Sequence, residues 1–462
     1  MAADSRGGIV TEALLMAAVA ACGFLLVSPL SGLPAGLRAA LAFPVGLTSW
    51  LVVGLAMVVA PTSYGPLSSL GVLALFSIVS ASVAAARSGI RVAGRALPWL
   101  LGLATITGLL SLAFQALDAT AITPDSIRYL LGARVLATTG DTALIPTWDL
   151  LRRGIVIPLL HAPAVLGKSQ LMESVSPLLA VGGVSAFVEL LNQALIHLGS
   201  SRGWRWWLLV SSVVAFLGSN RGIYHAFYVN GHLLFAVCLL LLVMGYWMTA
   251  RTGSIQWLLP ALPGVAVMAT VRPEGVLVVA PFLVVAMALP ALPPLAKWLP
   301  VLPYTAATVA WFGLFLIRVR HTPLNLGEPE PALVAVALVV ALLAILAVAR
   351  PQSRLVRIAP YLIVVGPLTV LLAWTVLDPG VFVASLSATA RNIVYSGAWG
   401  VTWLVILPAM VWVTLRARLP QRQLWTIPLA SFAILFFLLP YLREGPYRAG
   451  RGDSGSRILM HV

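Results

Sequence analysis

The sequence predicts an all-α polytopic integral membrane protein of about 13–14 transmembrane helices. Three observations carry this. First, 60% of the 462 residues are hydrophobic and only 9% are charged, with a mean hydropathy of +0.99. Soluble globular domains do not approach that composition. Second, the apolar residues fall in continuous runs of roughly 20, the length that spans a bilayer as a helix. A membrane β-barrel would show short alternating segments instead. Third, the 14 acidic residues are concentrated in a few polar intervals, the longest being 118–173.

The apolar runs place spans near 13–30, 36–60, 65–86, 97–117, 174–199, 204–218, 227–249, 256–271, 275–290, 298–317, 331–349, 358–377, 398–415 and 424–440. The pair flanking Arg272 reads as short or re-entrant. Arginines cluster in five loops: Arg87, Arg91 and Arg95; Arg202 and Arg205; Arg251; Arg350, Arg354 and Arg357; Arg416, Arg418 and Arg422. Strict alternation places all of these on one side, and none of these loops carries an Asp or Glu. The excess of positive charge on the inner side of a membrane makes that side cytoplasmic. It also accounts for much of the net charge of +15, without a nucleic-acid partner.

Loop 118–173, the 220–230 segment, the Arg272 turn, 318–330, 378–397 and the tail 441–462 then face outside. So does the N-terminus, unless one of the first three segments fails to span. Cys22 and Cys238 lie inside apolar runs and build neither a disulfide framework nor a zinc site. Residues 13–30 read as an uncleaved span, because Asp4 and Glu12 are wrong for a signal peptide. No Gly-rich phosphate loop is present.

Within loop 118–173, Thr123 suits a helix N-cap, Pro124 the first helical position, and Asp125 the first turn. The spacing predicts a juxtamembrane helix from there to about Leu136. Asp125, Arg128 and Tyr129 stand at i, i+3 and i+4, on one face. Two readings of Asp125 are open at this level: a carboxylate placed for chemistry, or one that complements the helix dipole. Asp118 is either a second acid near Asp125 or the polar end of span four. Asp141 either positions a ligand or serves a turn after Gly140.

Pro124-Asp125-Ser126-Ile127-Arg128-Tyr129, followed by Leu131-Gly132-Ala133, Thr139-Gly140-Asp141 and Pro146, resembles the first external loop of the GT-C superfamily of membrane glycosyltransferases. It is most similar to the aminoarabinose-transferase and protein O-mannosyltransferase type. Thr270-Val271-Arg272-Pro273-Glu274-Gly275 is similar to that superfamily's Arg-Pro-Glu-Gly turn. Gly452 to His461, with Asp453, Ser454 and Arg457, is similar to its tail. The likeness covers 97–462 as a GT-C-like catalytic region and leaves 1–96 as N-terminal helices outside the pattern. Ser126 stands where the family usually has a second acid.

The resemblance implies transfer of a sugar from a polyprenyl-phosphate donor to a lipid, glycan or protein acceptor. The reaction would take place at the external face, in the plasma membrane of a bacterium. It implies Asp125 as general base, with Asp118 as a second catalytic candidate. External arginines Arg272, Arg391, Arg448 and Arg457 would stabilise the phosphate leaving group or, equally, snorkel to lipid headgroups. Arg128, Tyr129, Asp141 and Glu274 complete the implied substrate contacts. No cofactor is required with certainty, and a divalent metal stays open. Membrane lipids are expected partners; nucleic acid is not.

Tyr228, Asn230 and His232, with His225 nearby, form a polar loop suited to carbohydrate contact. Glu189 is the one acid well inside a span. A charge there costs roughly 2.5–3.5 kcal/mol, so it should be paired or neutral, with Asn192 and Gln193 one turn on. A transporter or flippase of a lipid-linked or hydrophobic substrate is the alternative function. It would show inverted repeats and several midplane charges, and neither is evident.

Overall fold

The computed structural model describes residues 2–321, apart from 61, 89, 147–149 and 151–152, with scattered positions between 358 and 387. The described chain is helical, with a single isolated bridge between Ala121 and Tyr228. Its helices are α1 (Ala2–Val27), α2 (Ala35–Val59), α3 (Pro66–Ser88), α4 (Ile90–Leu117), α5 (Pro124–Thr139), α6 (Val156–His161), α7 (Val175–His197), α8 (Arg202–Leu217), α9 (Asn220–Phe227), α10 (His232–Thr252), α11 (Leu262–Val271), α12 (Pro273–Ala288), α13 (Pro294–Trp298) and α14 (Val301–His321).

Among the described residues, six segments are long and apolar enough to cross a membrane: Gly8–Val27, Ala35–Val59, Pro66–Val83, Leu97–Leu117, Val175–His197 and His232–Thr252. The protein therefore reads as a helical membrane protein. The spans expected beyond residue 330 lie outside the described residues. Within them, the expected span 256–271 is interrupted: two 3-10 turns, Ile255–Trp257 and Leu259–Ala261, precede the ten-residue α11. Arg272 adopts extended backbone (φ −156°, ψ 151°) between α11 and α12. Pro273 cannot continue the ladder of α11 and instead opens α12.

Hydrogen bonds between connections sort the helix ends into two sets. At one end, Tyr64 N donates to Gly140 O, Gln115 Nε2 to Ile9 O, and Ser174 N to a Glu12 carboxylate oxygen. At the other, Arg38 Nη1 donates to Ser28 O, Gly32 N to the Gln256 side chain, and Arg251 Nη2 to His197 O. Successive long helices run alternately between these ends, as an up-and-down bundle must. Glu12, Asp118, Asp125, Asp141 and Glu173 belong to the first end, and Arg202, Arg205 and Arg251 to the second.

Helix α8 crosses between the ends in 16 residues, about 24 Å at 1.5 Å per residue. It is shorter than the ~30 Å hydrocarbon core. The bundle is tightest where α1 meets α2. A Cβ on Gly23 would collide with Ala42 O, and one on Gly46 with Val19 O. Small residues of this kind let membrane helices approach to backbone contact.

Two outcomes are expected. Gly46→Leu should separate α1 from α2 and lower the melting temperature in detergent. Gly102→Ala, whose new methyl meets nothing within 4 Å, should leave it nearly unchanged; equal losses would refute the close-packing argument. Cysteines at Asp141 and Ser201, both exposed, should react with an impermeant maleimide from opposite faces of intact vesicles. Labelling of both from one face would overturn the two-ended arrangement. The native Cys22 and Cys238 are buried and give little background.

Candidate functional site

The acidic end is organised by the first turn of α5. Thr123 is its N-cap, Pro124 fills the first position, and Gly140 closes the helix in the left-handed conformation (φ 70°). Ser126 completes a capping box: its backbone N–H donates to Thr123 Oγ1 at 3.4 Å and its Oγ accepts from Thr123 N at 3.1 Å. That is the role Glu or Gln ordinarily plays at this position. Ser126 is fully buried, and its hydroxyl also donates to Val229 O at 3.1 Å.

The capping turn is thereby stitched to the segment between α9 and α10. Thr123 Oγ1 and Tyr228 Oη lie 3.1 Å apart; Ala121 N donates to Phe227 O, and Val229 N to Ala121 O. Ser176 Oγ, in the first turn of α7, donates to Tyr228 O. Two further backbone segments meet here. Gly154 (φ 71°) lies so close to the carbonyls of Thr270 and Val271 that a Cβ would reach their oxygens at 2.5 and 2.7 Å. A Cβ on Gly231 would press on the Val271 side chain at 2.7 Å. The start of α5, the Arg153-Gly154 turn, the 228–231 segment and the Arg272 break are therefore neighbours.

Arg153 Nη2 donates to Asp125 Oδ1 at 2.8 Å. The Arg153 side chain is 12% exposed, whereas that of Asp125 is 41% exposed. The carboxylate is held by a charge-assisted bond from beneath and remains open to ligand from above. Arg272 is half-buried at the N-terminus of α12, where backbone N–H groups add positive potential.

The other sequence-predicted residues divide by exposure. Arg128 and Asp141 are exposed, but Tyr129 is not: it enters the hydrophobic core with Ala133 and Leu136. The i, i+3, i+4 face is thus split between water and core. Asp141 serves a turn, its Oδ1 accepting from Ala143 N at 3.1 Å. Tyr228, Asn230 and His232 are all buried. Tyr228 stacks at 4.9 Å on Tyr224, and His225 lies 5.7 Å from His232. Both amide atoms of Asn230 are buried with no hydrogen-bond partner among the described residues, so this side chain retains capacity for a bound group or water. Glu274 lies in the first turn of α12, but its side chain is outside the described residues, as are Arg391, Arg448 and Arg457.

Asp118, in left-handed backbone (φ 45°), faces Glu173. Partial burial, and then the Asp118 charge, push the Glu173 carboxyl above its usual range. Among the described residues, no group of three or more His, Cys, Asp or Glu is placed to hold a metal.

Sequence reasoning missed Arg153 and Glu173. A double arginine before a glycine, Arg152-Arg153-Gly154, in the same polar loop as Asp125 was the available signal. It also missed His161, whose Nδ1 accepts from Met172 N at 3.2 Å. Complete burial pushes its pKa down to about 4, leaving it neutral.

Ser126→Ala should cost about 1–2 kcal/mol, the usual penalty for stranding buried hydrogen-bonding groups, and lower the melting temperature. A melting curve matching wild type would show that the stitch is dispensable. Glu173, with its pKa raised in the fold, favours folding when protonated. That contribution is full below the unfolded carboxyl value and is lost as pH rises through the folded one. Asp118→Asn removes the repulsion, so it should stabilise at pH 7 and lose that advantage near pH 4. A gain equal at both pH values would exclude the repulsion as its source. Compared with protein-family models, curated proteins and solved structures, the chain matches none.

Proposed function

We propose that the protein is a membrane glycosyltransferase of GT-C type, moving a sugar from a polyprenyl-phosphate donor to an acceptor hydroxyl at the external face of the membrane. The observation that carries this reading is Asp125: a carboxylate on a capped helix turn, open on one side and fixed on the other by Arg153 at 2.8 Å. A general base must be held in one place yet reach its proton, and this arrangement meets both needs.

In the proposed step, Asp125 takes the proton of the acceptor hydroxyl as its oxygen forms the new bond to the anomeric carbon. The bond from that carbon to the donor phosphate breaks, and the phosphate leaves with the electron pair. Negative charge then grows on the phosphate. Arg272 and the N-terminal turn of α12 supply positive potential for it, as guanidinium groups and helix N-termini do for phosphates generally. Arg153 positions the base rather than touching the leaving group. Asn230 backs the site with an amide whose hydrogen bonds await a ligand.

The capping role of Ser126 bears on its departure from the family pattern. Position 126 is the third residue of α5, where a side chain must serve the cap. Serine does so here while entering the interior, so the proposed mechanism draws on the Asp125 carboxylate without an acid at position 126.

Asp125→Asn should abolish transfer. A strain lacking the gene should lose one sugar from an envelope glycan or lipid and accumulate the unconsumed polyprenyl-phosphate sugar. The wild-type gene should restore it; the Asp125→Asn gene, expressed at equal level, should not. Full restoration by Asp125→Asn would sink the assignment. Arg153→Lys should keep donor binding and reduce turnover by roughly 10–100-fold, the scale of a mispositioned base.

A further inference from the structure

We infer a second ligand site at the opposite end of the bundle: a groove between α7 and α8 that binds an anionic glycerophospholipid, its phosphate on Arg202 and Arg205. The groove has a volume of 520 Å³ and is amphipathic along its length. Arg202, Arg205 and Asn192 line one end; Leu209, Val213 and Val188 line the rest. A phosphate headgroup and an acyl chain have that same polarity profile.

Three observations point to a ligand. The Nε of Arg205 is buried and has no hydrogen-bond partner among the described residues. A buried guanidinium N–H without an acceptor is costly, and a phosphate oxygen is the acceptor best matched to it. The charges in the groove do not cancel, since it contains two guanidinium groups and one carboxylate. Glu189 Oε1 already accepts from Gln193 Nε2 at 3.1 Å. Finally, Trp204, Trp206 and Trp207 in the first turns of α8 are all exposed. Exposed tryptophans mark the depth at which lipid headgroups lie.

The occupant follows from place as well as charge. Val210 and Val214, on the groove wall, are exposed on the outer surface of the bundle, so the groove opens sideways into the bilayer. The surrounding leaflet supplies anionic phospholipid in bulk. The site containing Asp125 is at the other end of α7, a helix of 23 residues and about 34 Å. A polyprenyl-phosphate donor consumed there has no need of this groove. The inference therefore stands apart from the proposed reaction.

The test uses the full chain in phosphatidylcholine vesicles containing a trace of phosphatidylglycerol with a photoactivatable acyl chain. The same label on phosphatidylcholine is the comparison. Peptides from α7 and α8 should crosslink preferentially to phosphatidylglycerol. Replacing Arg202 and Arg205 with Gln should reduce that preference about fivefold per arginine, whereas Lys at both positions should retain most of it. Arg251→Gln, at the same end but outside the groove, should leave it unchanged. The melting temperature of each variant in phosphatidylcholine checks its folding, and the Lys pair keeps the test decisive if the Gln pair is unstable. Equal labelling by the two lipids would overturn the inference. An equal loss in Arg251→Gln would reduce it to general surface charge. Displacement of the label by equimolar polyprenyl phosphate would overturn the stated occupant.

Discussion

A peptide group in hydrocarbon must find its hydrogen bond within its own segment, and the rest of this structure follows from that constraint. Helices satisfy it, so the chain is helical; polar and charged side chains are then pressed toward the helix ends. Because the helices run alternately, two polar surfaces result, separated by the length of α7. Their characters differ. The end built from 118–174, 218–231 and the Arg272 break holds carboxylates, a capping network and stacked aromatic rings. The opposite end holds arginines on short turns. A reaction needing a base and a phosphate site has its materials at the first end. The second has what an anionic membrane surface attracts.

The acidic end keeps its shape through polar contacts, with apolar packing beneath. Thr123, Ser126, Tyr228 and Val229 join two segments about a hundred residues apart. The glycines at 154 and 231 let a third and a fourth segment approach to backbone distance. In a membrane protein this division is expected, since lipid removes most of the hydrophobic drive between helices. Hydrogen bonds and close approach therefore decide which loops become neighbours. Asp125 inherits its position from that network, and Arg153 fixes its carboxylate.

Much of this was legible in the sequence where the cause is local. Thr123, Pro124 and Gly140 announce the start and stop of α5, and the helix runs from Pro124 to Thr139 as capping chemistry requires. Arg272-Pro273 announces the helix break. What could not be read depends on tertiary contact. Arg153 meets Asp125 across 28 positions, and no spacing rule links them. Tyr129 shares a helical face with Asp125, yet that face is divided between core and solvent once α6 packs against α5. Tyr228, Asn230 and His232 look like a polar loop but fold inward, because Ser176 and Val271 stand over the segment. Glu189 behaves as its sequence neighbours suggest, since an i, i+4 amide is local.

Arg153 and Arg205 show what decides the role of a guanidinium beside a membrane. Each is partly withdrawn from water, where an unanswered charge is expensive. Arg153 is answered from within the chain by Asp125, so its energy goes into holding a side chain still. Among the described residues no protein acceptor answers Arg205 Nε, and the rest of the groove beside it is mostly apolar. The carboxylate that shares the groove, Glu189, already accepts from Gln193 Nε2 at 3.1 Å. In the inferred site the counter-charge comes from a lipid phosphate, which the bilayer supplies at that depth. The same residue type thus fixes a carboxylate at one end of α7 and, in the inferred site, fits a lipid at the other, according to whether its acceptor is covalently part of the chain.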